Sequence, residues 1–302
     1  MNKKITKGIL LAILASFLCG AADTLLQFVS QNEAVPAKWF LSIRPLFAGI
    51  ILLLICLMLY GKKIFSVFKD FRSIVCIVCY GIFGMSFNFL ASYLCIQDGG
   101  NAAMMSILQY LSPLFVLIGT IIFQRSRPLF GDVIVFILAM IGITLVLTKG
   151  DLSELSISKI SLMWGIGAGL AQALYLTLPR PLIKQHYSPI LIVGWGAFIS
   201  GLAFNIDRPF WIDTPKITPT LVISMSGIIL LGTILSFMIF LMASKFAPSE
   251  VVSLTDAVEP ITAFVLGIIF FSMSVNVIEI IGAVMVIAAI TFLQWFHVKA
   301  VK

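Results

Sequence analysis

Asp256 and Glu259 stand three residues apart, with Pro260 directly after them, inside an otherwise apolar stretch. On a helix that spacing puts both carboxyls on one face. Two carboxylates so close cannot easily both be ionised, which suits taking up and releasing a proton. The proline lacks an N–H and frees the carbonyl four residues back, that of Asp256. Pro113 does the same for the carbonyl of Gln109, beside Tyr110. Backbone interrupted in this way is tolerated in lipid only when buried in protein or lining a cavity. Asp23 and Arg44 are two further charges in apolar runs, each about 7–8 Å below the outer surface at a 1.5 Å rise per residue, and equal depth on consecutive helices predicts an ion pair, either a structural link (or Arg44 snorkelling outward) or an outer gate or anion binder. Gln27, Asn88, Gln172, Tyr175 and Trp195 are amide and aromatic groups of the kind that line a site for a small organic solute with an apolar body. Gln172 and Tyr175 share a helix face at a spacing of three. Singly, each such residue also serves as an interhelical hydrogen bond or as core filler.

Other chemistries find little material. The two histidines, His186 and His297, sit at helix ends, and no nucleophile constellation or metal spacing accompanies them. Cys76 and Cys79 form a C-x-x-C, but inside a hydrophobic segment, where small apolar filler is the plainer reading. No G-x-x-x-x-G-K-[ST] loop occurs, so ATP drive within this chain is not expected. Gly165-x-x-x-Gly169 reads as a close-packing helix face, not a phosphate loop. No catalytic residue, metal or cofactor is assigned.

The elements that must position these residues follow from composition. Apolar residues are 60% of the 302, and charged residues 11%, under half the roughly 25% of a soluble domain. Mean hydropathy is +1.11. Ten apolar stretches approach the ~20 residues that cross a bilayer: 8–28, 39–60, 73–97, 101–122, 128–148, 160–181, 189–206, 219–243, 249–271 and 276–296. Turn formers separate several of them, as in Asp98-Gly99-Gly100, Ser126-Arg127-Pro128, Lys149-Gly150-Asp151 and Ala247-Pro248-Ser249. The predicted fold is an all-α integral membrane protein of ten transmembrane helices. The first run is too long for a signal peptide and is read as an uncleaved helix.

Lys and Arg set the orientation. With the N-terminus in the cytoplasm, 14 of the 20 fall on inner segments and 5 on outer ones, leaving Arg44 within the second helix. This predicts a multi-pass protein of the cell membrane with both termini cytoplasmic. The net charge of +7 is explained by this bias, so no nucleic-acid partner is expected. Lys62 to Arg72, with Phe65, Phe68 and Phe71, reads as a short helix on the inner leaflet, and Asp207 to Lys216 as an outer aromatic belt.

Asn101–Phe123 and Pro248–Phe270 share a pattern at an offset of 147 (260 − 113), which also relates Asp132 to Glu279. The first and sixth helices align at 151. Residues 1–150 and 151–302 are therefore read as two five-helix copies. An odd count inverts one copy relative to the other, the organisation of secondary carriers that hold a solute near the midplane.

Arg44-Pro45-Leu46-Phe47-Ala48, Leu111-Ser112-Pro113-Leu114-Phe115, Val258-Glu259-Pro260-Ile261-Thr262-Ala263 and Gly142-Ile143 resemble the ten-helix EamA-type branch of the drug/metabolite transporter superfamily. The family's usual acidic positions after helices four and nine hold Gln124 and Ser272 here. The resemblance implies a carrier exporting an amino acid or related metabolite across the cell membrane by alternating access. A membrane-embedded enzyme acting on a lipid or peptide is the alternative.

Overall fold

The computed structural model describes residues 3–33, 35–124, 130–149, 157–243, 246, 255–273 and 275–300. The loops around Ser126-Arg127-Pro128 and Ala247-Pro248-Ser249, and the first residues expected of the ninth helix, lie outside them. Every regular element among the described residues is helical. In lipid this is the economical solution, since a helix satisfies its backbone polar groups internally.

Two long helices lead, α1 (Lys3–Gln31) and α2 (Ala37–Tyr60). A 3₁₀ helix, Gly61–Lys69, follows. The next span is α3 (Phe71–Cys79), a π turn (Tyr80–Ser86) and α4 (Phe87–Gln97) in one rod. Then come α5 (Ala102–Gln109), α6 (Ser112–Gln124) and α7 (Phe130–Thr148). The second half holds α8 (Lys159–Thr177), the short α9 (Arg180–Lys184) and α10 (Pro189–Asp207). It continues with α11 (Pro219–Ile229), a second π turn (Leu230–Leu235) and α12 (Ser236–Ala243). A 3₁₀ turn (Thr255–Ala257), α13 (Val258–Phe271) and α14 (Val277–Ala300) complete it. Among the described residues seven helical segments are long and apolar enough to cross a membrane, and α7 and α14 contain two further apolar segments, Val133–Thr148 and Val277–Phe292.

The prolines act differently from the expectation. Pro113 is the second residue of α6 and Pro260 the third of α13. Pro113 starts α6 after the break at Tyr110–Leu111, and Pro260 stands in the first turn of α13, directly after the 3₁₀ turn 255–257. A helix start is where a missing N–H costs nothing, because the first four have no intrahelical acceptor.

Pairing crosses the halves: α2 packs on α10, α7 on α14, α4 on α8, and α1 on α11, α12 and α13. Glycines let backbones touch at two crossings. A Cβ on Gly201 would sit 2.4 Å from the Leu46 Cα, and one on Gly49 2.4 Å from the Phe198 nitrogen. Gly142 and Gly282 face each other's carbonyl oxygens in the same way. Small residues at such seams are what holds helices together in lipid, where burying apolar surface gives no drive.

Candidate functional site

Between these pairs lies a cavity of about 240 Å³. Ser16, Cys19 and Asp23 reach it from α1, Arg44 from α2, and Asn88, Phe89 and Ser92 from α4. Gln109 enters at the end of α5, and Gln172 and Tyr175 come from α8. Thr233 enters at the second π turn, Ser236, Phe237 and Phe240 on α12, Asp256 from the 3₁₀ turn, and Glu259 at the start of α13. A smaller space of about 60 Å³ adjoins it. Both broken helices border that space, through Tyr110, Ser112 and Pro113 on one side and Asp256, Glu259 and Pro260 on the other.

Three amides from three helices meet at the wall between the two spaces. Asn88 Nδ2 donates to Gln172 Oε1 at 2.8 Å. Gln109 Nε2 donates to Asn88 Oδ1 at 3.3 Å and to Gln172 Oε1 at 3.2 Å. The cluster ties α4 and α5 of the first half to α8 of the second. In a medium without water an amide unmatched here would cost much of its desolvation.

The carboxyls gather opposite. Gly20 lets α1 approach α13 closely, for a Cβ there would lie 2.6 Å from the Glu259 carbonyl oxygen. One turn further along, Asp23 Oδ2 accepts from Ser106 Oγ at 2.8 Å, and the Glu259 carboxyl faces that of Asp23.

Asp23 and Arg44 make no direct ion pair among the described residues. Both also lie deeper than the 7–8 Å expected, about 12 Å and 10 Å from their helix ends at 1.5 Å per residue, because α1 runs on to Gln31 and α2 begins at Ala37. Asp23 is turned toward Ser106. Arg44 instead lies over Phe89, with Cζ 4.7 Å from the ring centroid, and over Phe40 at 5.9 Å.

Trp195 is not brought to the cavity. Its Nε1 donates to the Ile64 carbonyl at 3.0 Å, and its ring packs on Phe65, Phe68 and Phe198. The 3₁₀ segment draws it there by laying Phe65 and Phe68 back on α10. Tyr110 borders only the smaller space, and its hydroxyl pairs with Thr291 at 3.3 Å. Gln27 closes the far end of α1, accepting from the Ala102 N–H at 2.9 Å, while Gln31 donates to the Gly100 carbonyl at 3.1 Å. Sequence reasoning missed Ser16, Ser92, Ser106, Thr233 and Ser236. Hydroxyls in apolar helices usually bond back to the preceding turn, as Ser236 does to the Gly232 carbonyl at 3.0 Å, so their type alone does not mark a site. The two π turns, which recur at functional sites, carry no residue pattern that marks them in the sequence.

A polar cavity among apolar membrane-length helices, open to contributions from both halves, is the equipment of a membrane transporter. The EamA-like transporter family model matches this chain twice, over residues 6–148 and 159–295, and the chain belongs to that family. The uncharacterized inner membrane transporter YicL of Salmonella typhimurium is 27% identical over 291 residues, covering 95% of each chain. An uncharacterized transporter of Archaeoglobus fulgidus is 25% identical over 206 residues, 68% of this chain and 72% of its own. A solved crystal structure shares the fold with a TM-score of 0.60 at 15% identity, over 94% of this chain and 95% of that one. The protein is thus a multi-pass cell-membrane transporter of a small solute.

Proposed function

We propose that this chain is a secondary transporter that exports an amino acid or a closely related metabolite by alternating access, with proton coupling through Asp256, Glu259 and Asp23. One observation carries the reading: polar groups from both halves converge on one cavity, beside the break before Pro113 and the 3₁₀ turn before Pro260. A volume of about 240 Å³ suits a solute of amino-acid size, below the roughly 300–1,000 Å³ of sites for drug-sized ligands. Phe89, Phe237 and Phe240 offer apolar contact to its body, and Asn88, Gln109 and Gln172 orient its polar end.

The ten-helix, two-copy organisation with residues 1–150 and 151–302 as inverted repeats belongs to the same proposal. Its support is threefold. The family model matches twice. Each half carries a π turn in its third span and a proline-started helix after a break in its fourth. The α2–α10 crossing places Gly49 on Phe198 and Gly201 on Leu46, and one offset of 152 (201 − 49) exchanges the two contacts. Rocking one such half against the other would expose the cavity to each face in turn.

Counterflow in proteoliposomes across amino acids, amines and nucleosides, with and without a pH gradient, tests the reading. An amino acid should exchange, and an inside-directed proton gradient should accelerate its exit. If Asp256→Asn and Glu259→Gln both leave the proton-dependent part of the flux intact, the coupling is wrong. Movement of no solute in the panel returns the membrane-enzyme alternative.

A further inference from the structure

Arg44 is buried in the cavity wall at 8% exposure, and its Nε has no hydrogen-bond partner among the described residues. No carboxylate forms an ion pair with it among those residues. Asp23 lies within Coulombic range but is already engaged by the Ser106 hydroxyl and faces Glu259. The guanidinium lies over Phe89, a contact that uses none of its N–H donors. Ser92 adds an independent sign. It is 5% exposed, its Oγ is unpartnered, it lines the same cavity, and it lies one turn beyond Phe89 on the same face of α4. Gly232 also lines the cavity beside it, with Nη2 3.9 Å from where its Cβ would stand.

An uncompensated guanidinium within the bilayer is costly and marks a ligand contact. Its planar fork of donors fits a carboxylate bidentately. A phosphate dianion fits less well, because Asp23, Asp256 and Glu259 share the cavity and would repel it. We infer that Arg44 and Ser92 form a subsite for the carboxylate of the transported solute, an inference that rests on the transport reading above. The solute's ammonium then lies toward Asp256 and Glu259. Arg44 holds the acid group in its fork, Ser92 donates a third hydrogen bond, and the cavity prefers an amino acid over the amine or amide of the same side chain.

Thermal stabilisation of the full chain in detergent tests this. The probes are L-leucine, L-phenylalanine and L-methionine, each beside its decarboxylated amine and its primary amide. The acids should raise the unfolding midpoint at concentrations at least tenfold below those the amines and amides need. Arg44→Gln should abolish that preference, and Ser92→Ala should shrink it several-fold. Arg44→Lys, which keeps the charge without the fork, should retain only part of it, and with Ser92→Ala it keeps the test decisive if the glutamine variant does not fold. Equal responses to acid and amine, an undiminished preference in Arg44→Gln, or no response to any probe would overturn the subsite. Counterflow with the same probes separates the two proposals. Flux without preference removes the subsite and keeps the transporter, whereas preferential binding without flux does the reverse.

Discussion

Asn88, Gln109 and Gln172 show what one side chain contributes inside a bilayer. Removing Gln109 leaves the 2.8 Å Asn88–Gln172 bond in place, so Gln109→Leu should cost only about 1 kcal/mol of stability. Gln172→Leu strands the Asn88 Nδ2 donor and leaves Gln109 only its 3.3 Å bond to Asn88, and should cost about 2–3 kcal/mol. Denaturation in detergent should rank the two in that order, and both should lower counterflow about tenfold if the cluster orients the solute. Trp195 is the contrasting case. Trp195→Phe removes its bond to the Ile64 carbonyl and should cost about 1 kcal/mol with flux unchanged. A flux loss at equal protein level would show that the 3₁₀ segment it holds takes part in transport.

At the scale of elements, close helix approach decides the outcome. At Gly201 a methyl would collide with the Leu46 backbone at 2.4 Å, and backbone cannot move aside as a flexible side chain can. Gly201→Ala should therefore lower the yield of folded protein and its thermal midpoint. Gly119 lies in α6 with nothing within 4 Å of an added Cβ, so Gly119→Ala should be neutral or stabilise by up to about 1 kcal/mol. The pair is checked by size-exclusion profile and thermal melt of both variants. A neutral Gly201→Ala would mean that α2 and α10 can separate without loss, against the packing described. Sequence alone showed Gly165 and Gly169 as a packing face, but glycine type by itself did not show that Gly201 has backbone opposite it and Gly119 has none.

For the whole molecule, the charge bias makes a prediction about sidedness. In a background without the five cysteines, Lys63→Cys should react with an impermeant maleimide only after the cytoplasmic face is exposed. Lys216→Cys should react in intact cells. The reverse pattern would invert the assignment of both termini. Lys149 sharpens the view of that bias, for its Nζ lies 3.5 Å from the Glu279 carboxylate, which is 1% exposed at the α7–α14 seam. Some of the few charges therefore hold helices together as well as fix topology.

The apolar runs, the turn residues between them and the placement of Lys and Arg were enough to predict a multi-helix membrane protein, because a bilayer constrains every residue of a span in the same way. Asp23, Arg44, Asp256 and Glu259 were legible for the same reason, since a charge in lipid needs a cause. Which of them touch was not legible. The expected Asp23–Arg44 pair gave way to Asp23 with Ser106 and to Arg44 on Phe89, and Trp195 went to the 3₁₀ segment. Helix rotation and the depth at which spans cross depend on contacts between residues far apart in the chain. Only the packed structure decided those, and with them which hydroxyls, Ser92 among them, line the cavity.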